Sequence, residues 1–192
     1  MARYIDNRRV FPDGYWQGKR CLELGSGCGL VSCVLAKLGA RVLATDKSIV
    51  LSHLEDNLEA NQVLATRSDY GSSTTSMAAA GEVLVQELNW GPIASHPQAP
   101  FQVVIAAACL YVPKTVPILL QTLWLMSAPE TTVLFCGIVG EGALTAFMEQ
   151  VGEYFSYTVR DDDGVIVPNP TRADLATRMM VLVPRFPRDN TV

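Results

Sequence analysis

The stretch Cys21-Leu-Glu-Leu-Gly-Ser-Gly-Cys-Gly-Leu30 decides the fold. Residues 19–24 (KRCLEL) form a β-type run that leads into it. Beyond it, Leu30, Val31, Val34, Leu35 and Leu38 recur at helical spacing until Gly39 stops the pattern. Three glycines, Gly25, Gly27 and Gly29, separate the two runs. A chain turning sharply from strand to helix needs positive φ there, and a missing side chain lets a ligand approach the backbone. This order puts the turn at the carboxyl end of a strand, where open α/β sheets bind ligands.

Working outward, residues 41–44 (RVLA) give a second strand, with Asp46 at its end, 21 positions after Gly25. A carboxylate in that place can accept both hydroxyls of a ribose lying over the glycine turn, which predicts an adenosine-type ligand. A dinucleotide fingerprint asks for G-x-G-x-x-G, whereas position 30 is leucine and the third glycine arrives one residue early. Glu23, two positions ahead of the turn, points the same way. Its carboxylate would repel a pyrophosphate but can orient the ammonium of a zwitterionic amino-acid moiety. S-adenosylmethionine, which has no phosphate, meets both conditions. The plainer alternative is a turn built only for close strand–helix packing.

The rest of the chain alternates β-type and helical runs, the signature of a parallel sheet wrapped by crossover helices. Leu51, Leu54 and Leu58 form the apolar ridge of a helix ending near Asn61, and residues 83–85 give a third strand. Residues 101–106 (FQVVIA) and 131–139 (TTVLFCGIV) are apolar enough for strands covered on both faces. Between them a helix is predicted over residues 115–127, capped by Thr115 and with Pro117 in its first turn. A further helix carries Leu144, Phe147, Met148 and Val151. Residues 154–160 and 179–183, with no helical pattern between them, read as an antiparallel edge pair. Residues 68–81 and 91–100 read as surface loops. One domain spanning residues 1–192 accounts for the whole pattern.

Composition narrows the function classes. The 192 residues are 49% hydrophobic and 18% charged, which argues against disorder. Nineteen acids against 15 bases, with no cluster of Lys and Arg, argue against direct nucleic-acid binding. No run reaches the roughly 18 apolar residues of a membrane span, and the first twenty residues lack the apolar stretch of a signal peptide. The five cysteines show no CxxC pairing, which fits a reducing intracellular compartment. His53 and His96, the two histidines, have no matching cysteine spacing, so no metal site is expected. Residues 161–164 (DDDG) read as a solvated turn, Trp16 as a packing residue, and Cys28 as a small side chain tolerated in a tight loop.

Residues 23–30 (ELGSGCGL) and 38–46 (LGARVLATD) resemble the first two motifs of class I S-adenosylmethionine-dependent methyltransferases. Residues 87–91 (ELNWG) resemble the E-L-x-W-G segment of the eukaryotic methyltransferase-like protein-lysine methyltransferases, which act on chaperones, elongation factors and calmodulin. Residues 107–111 (AACLY) look like that family's A-D-x-x-Y motif. The likeness spans nearly the whole chain and is strongest from residue 19 to residue 112.

The resemblance implies a Rossmann-like α/β three-layer sandwich around a mostly parallel seven-stranded sheet with an antiparallel C-terminal strand. It also implies S-adenosyl-L-methionine as cofactor and a protein substrate with a lysine acceptor. Carried over residue by residue, Gly25, Ser26 and Gly27 line the methionine moiety, with Gly29 completing the turn and Glu23 near the ammonium. Asp46 holds the ribose, Trp90 and Ala107 border the adenine, and Tyr111 faces the substrate channel. Two departures stand out. Ala108 occupies the place of the family's acid, and the chain starts close to the first helix, without the N-terminal segment that helps close the family's cofactor pocket. The implied setting is the cytoplasm, with the nucleus as a second compartment, and a monomer is favoured. The alternatives are a catalytically weak or inactive binding module of the same fold and a small-molecule methyltransferase.

Overall fold

The computed structural model describes residues 1–68, 77–91 and 96–186. Parts of the loops expected at 68–81 and 91–100 lie outside these residues. In chain order the elements are α1 (Ala2–Ile5), β1 (Arg20–Leu24), α2 (Leu30–Lys37), β2 (Arg41–Asp46), α3 (Ser48–Ala60), β3 (Ala65–Ser68) and β4 (Val83–Glu87). They continue with β5 (Val103–Leu110), a 3-10 turn (Pro113–Thr115), α4 (Val116–Leu125), β6 (Thr132–Ile138), α5 (Glu141–Tyr154), β7 (Phe155–Arg160), α6 (Arg172–Thr177) and β8 (Met179–Pro184).

These strands form one sheet in the order β3-β4-β2-β1-β5-β6-β8-β7. β1 pairs in parallel with β2 and β5, and the parallel pairing continues through β4 to β3 on one side and to β6 on the other. β8 runs against both its neighbours, β6 and β7. The chain steps from β1 to β2 on one side and later to β5 on the other. The strand order therefore reverses at β1, and the crevice this opens lies at the carboxyl ends of β1 and β5. This is the expected Rossmann-like sandwich with an antiparallel C-terminal strand, but with eight strands instead of seven. The added strand is β3, at the sheet edge, where Arg67 pairs with Glu55 of α3 through Nε–H to Oε1 at 2.8 Å and a second guanidinium N–H to Oε2 at 2.6 Å.

Side chains alternate across the sheet with the strand period of two, and both faces are covered. Cys21, Val42, Ala44, Val83, Val85, Val103 and Ile105 pack with α1, α2 and α3. Leu22, Leu24, Leu43, Leu84, Val104 and Ala106 pack with α4 and α5, where Phe135 stacks on Phe147 with centroids 4.9 Å apart. The segment between β7 and β8 contains a helix, contrary to the sequence expectation. Thr171 opens α6 with a capping box: its hydroxyl accepts the Asp174 amide, and the Asp174 carboxylate accepts the Thr171 amide. Thr171→Ala is expected to cost about 1 kcal/mol of stability, read by urea unfolding.

The first eighteen residues are held by rings. Phe11 packs on Tyr4, Tyr15 and Trp16, and Trp16, 3% exposed as its packing role requires, donates Nε1–H to the Ile5 carbonyl at 3.1 Å. Asn7 donates to the Asp162 carbonyl at 2.8 Å, tying this segment to the turn after β7. In that turn Asp161 Oδ1 accepts the amides of Asp163 and Val165. Among the described residues no helix is long and apolar enough to cross a membrane.

Candidate cofactor site

Gly25, Gly27 and Gly29 have φ of 68°, 52° and 80°, the left-handed region the sequence demanded of them. Their surroundings differ. A Cβ on Gly25 would lie 3.0 Å from Cys109 Cβ and 3.3 Å from Trp90 Cζ2, and one on Gly29 would collide with Leu54 of α3. At Gly27 a Cβ would meet nothing within 4 Å. Gly25 and Gly29 are therefore required by packing, and Gly27 is the glycine that leaves the backbone open to a ligand.

Hydrogen bonds stitch the turn to the end of β2. The Gly27 amide donates to Asp46 Oδ2 at 2.8 Å, and the Lys47 amide donates to Asp46 Oδ1 at 2.8 Å. The Thr45 amide donates to Ser26 Oγ at 3.1 Å, the Ser26 amide to the Thr45 carbonyl at 3.0 Å, and the Thr45 hydroxyl to the Glu23 carbonyl at 2.7 Å. The Leu88 amide donates to the Asp46 carbonyl at 3.0 Å, which brings the ELNWG segment alongside. Asp46 is thus fixed by its own backbone and by the turn it faces.

Glu23 is 2% exposed and points into the start of α2. Its Oε2 accepts the Ser32 amide at 3.0 Å and also the Ser32 hydroxyl. A carboxylate at a helix N-terminus satisfies an orphan amide and complements the helix dipole. Burial nevertheless dominates and raises the Glu23 pKa from 4.5 to about 7, although the hydrogen bonds from Ser32 and Ser26 oppose the shift. The carboxyl that the sequence reading placed near a ligand's ammonium is engaged in this structure in capping a helix.

Of the residues expected near the adenine, Trp90 lies against Gly25 and packs with the α4–α5 layer, whereas Ala107 packs with the opposite layer. The β5 residue facing Trp90 across Gly25 is Cys109, which sequence reasoning missed. A register shift between Ala107 and Leu110 accounts for this, because it breaks the alternation from which facing was read. Burial pushes the Cys109 thiol up to about 12. Within the same irregularity Ala108 is exposed at φ 53°, opposite Gly137, whose own φ is 76°. A Cβ on Gly137 would come within 3.0 Å of Ala108 Cα. Tyr111, one residue beyond β5, is 64% exposed at the same end of the sheet. A separate depression of about 220 Å³, lined by Asp6, Phe11, Trp16 and Lys37 among others, lies away from these groups, at the start of β1 and the end of α2.

The lysine methyltransferase family profile matches residues 2–153. The protein N-lysine methyltransferase METTL21A of Danio rerio is 33% identical over 141 residues, which cover 73% of this chain and 59% of that protein. The EEF1A lysine methyltransferase 3 of Xenopus tropicalis is 26% identical over 165 residues, covering 81% of this chain and 67% of that one. The chain spans between about half and two thirds of the length of these curated relatives. Among solved structures, an O-methyltransferase from Bacillus cereus in complex with SAH superposes with a TM-score of 0.59 at 15% identity, covering 95% of this chain and 78% of that one. A TehB-like SAM-dependent methyltransferase from Corynebacterium glutamicum gives 0.58 at 15% identity, with coverage of 95% and 85%. At these identities the structural likeness shows the shared fold alone.

Proposed function

The chain belongs to the lysine methyltransferase family, and on that premise we propose that it binds S-adenosylmethionine and transfers the methyl group to a lysine side chain of a protein. The observation that carries this reading is the bond from the Gly27 amide to the Asp46 carboxylate, which joins the open point of the glycine turn to the acid at the end of β2. The donor set fits the cofactor: open backbone at Gly27, a carboxylate at Asp46 for the ribose, and an apolar wall at Trp90 for the adenine. Glu23, Ser26 and Gly25 complete the methionine end, and Tyr111 stands toward the acceptor.

When bound, the cofactor supplies an electrophilic methyl group on a sulfonium, so the chain's own work is alignment and exclusion of water. Asp46 and the glycine turn hold the nucleoside in one place. The buried floor of Leu22, Leu24 and Ala106 excludes water beneath it. An acceptor lysine, with a reference pKa of ~10.4, must lose its proton before it can attack. A carboxylate would assist, and Ala108 stands where the family's acid is expected.

Titration calorimetry with S-adenosylmethionine tests the first half. Saturable binding is expected, and no heat at millimolar ligand would overturn it. Transfer of labelled methyl to a protein substrate, lost in Asp46→Ala, tests the second half.

Ala108 favours a second reading, a member of the fold that binds the cofactor but turns over slowly. Position 108 already has the left-handed backbone that Asp tolerates better than most residues. Ala108→Asp is therefore expected to fold normally and to raise kcat on a lysine substrate about tenfold, below the usual ceiling for a general base. Unchanged kcat with intact cofactor binding would remove the slow-turnover reading. We propose a cytoplasmic setting, with the nucleus as a second compartment, and a monomeric enzyme; that a relative is named for methylating EEF1A supports a protein acceptor.

A further inference from the structure

We propose that Cys28 and His53 form a thiol-modification site on the glycine turn, at which a small disulfide is exchanged onto Cys28 and disengages the turn from the cofactor. The second half of this proposal rests on the cofactor reading above; the first does not.

Cys28 is an exposed thiol between Gly27 and Gly29. Its Sγ lies 3.8 Å from Nε2 of His53, an exposed side chain on α3. Asn57, one turn further along α3, donates one amide hydrogen to the Cys28 carbonyl at 3.1 Å and lies 3.3 Å from the same His53 Nε2. An amide nitrogen is only a donor, so this contact makes His53 Nε2 an acceptor and puts the ring proton on Nδ1. Nε2 has one lone pair, for which the Asn57 amide and the Cys28 thiol compete, and it takes the thiol proton when Asn57 holds to the Cys28 carbonyl instead. The arrangement is a nucleophile with a base beside it, and it is open to solvent.

The other cysteines are built differently. Cys21 and Cys33 are buried, and Cys109 and Cys136 are half-buried. Burial pushes the Cys21 and Cys109 thiols up to about 12 and raises that of Cys136. Thiolate is the reactive form, so these three are poor competitors for a disulfide.

In the exchange the Cys28 thiol gives its proton to His53 Nε2, and its sulfur attacks one sulfur of the incoming disulfide. The disulfide's S–S bond breaks, and the departing thiolate takes the proton back from His53. Cys28 is oxidised to a mixed disulfide, and the released half is reduced to a thiol.

The turn has little slack to absorb the added bulk. Gly29 is pressed against Leu54 on one side of Cys28, and the Gly27 amide is bonded to Asp46 on the other. A group attached at Sγ displaces the His53 contact and, through the two flanking glycines, strains the Gly27–Asp46 bond.

The test follows native-state reaction of the full chain with dithiobis-nitrobenzoate, with S-adenosylhomocysteine binding measured before and after. One thiol is expected to react ahead of the rest. Cys28→Ser should remove that phase, and His53→Gln should slow it by about tenfold. Loading with oxidised glutathione should weaken S-adenosylhomocysteine binding at least about tenfold, with recovery on adding reductant. In Cys28→Ser the same treatment should leave the variant's own affinity where it was.

A fast phase that survives Cys28→Ser, or a parent rate in His53→Gln, overturns the modification site. Unaltered affinity in the loaded parent overturns the disengagement. If the untreated protein binds no S-adenosylhomocysteine, the cofactor reading and the disengagement fall together, while the reaction kinetics still decide the Cys28–His53 site.

Discussion

Asp46→Ala is expected to weaken S-adenosylmethionine binding by about a hundredfold, a change worth ~2.7 kcal/mol. The carboxylate accepts the Gly27 and Lys47 amides, one on each oxygen, so its loss leaves two backbone donors at the cleft without their partner. A hydrogen bond to a charged group contributes about 1.5–3 kcal/mol, and the proposed ribose contacts vanish with the same side chain. Asp46→Asn keeps one carbonyl oxygen for an amide but presents an NH2 where the second acceptor was, and it should fall between parent and alanine. Calorimetry on the three proteins, with circular dichroism to confirm folding, checks the order. Parent-like affinity in Asp46→Ala would show that the nucleoside is anchored elsewhere.

Between pH 5 and pH 8 the cofactor-free protein should lose roughly 3 kcal/mol of stability through Glu23 alone, as an upper figure for a pKa raised from 4.5 to about 7. Below pH 4.5 the folded and unfolded chains both hold the proton, and stability does not depend on this group. Between 4.5 and 7 the folded chain keeps a proton that the unfolded chain has released, so raising the pH favours unfolding. Above about 7 both are ionised, and the loss is complete. Glu23→Gln retains an oxygen for the Ser32 donors and cannot ionise. Its urea midpoint should match the parent near pH 5 and exceed it at pH 8, and parallel pH profiles would refute the buried-charge account. If Glu23 also meets the cofactor's ammonium, added S-adenosylmethionine should stabilise the parent more at pH 8 than at pH 5, and Glu23→Gln should lose that difference.

Much of this arrangement was legible in the sequence because its signals are local. The glycine turn, the strand before it and the helix after it are read from neighbouring residues, and Asp46 follows from the next strand. What escaped depends on contacts between distant segments or on short elements. β3 has four residues, two of them exposed polar side chains, Thr66 and Arg67, and shows no period of its own. α6 has six residues, too few for a helical stripe, although Thr171 and Asp174 carried a capping signature that could have revealed it. Thr115 stands at the N-cap position of α4 as read, but its hydroxyl donates to the Val112 carbonyl and makes no capping bond, because a 3-10 turn precedes the helix. Cys109 was hidden by the register shift in β5, and the capping contact of Glu23 by the fact that its partner, Ser32, is nine residues away on another element.

The outer strand beside α3 has a bearing on how the protein behaves in crowded solution. A bare sheet margin invites another chain to add itself, and the usual defence is a short stretch with a fixed charge. Here four residues end the sheet, and the Arg67 guanidinium is clamped across them by Glu55. Lateral growth of the sheet would have to bury or break that pair, so this flank discourages stacking into fibrils.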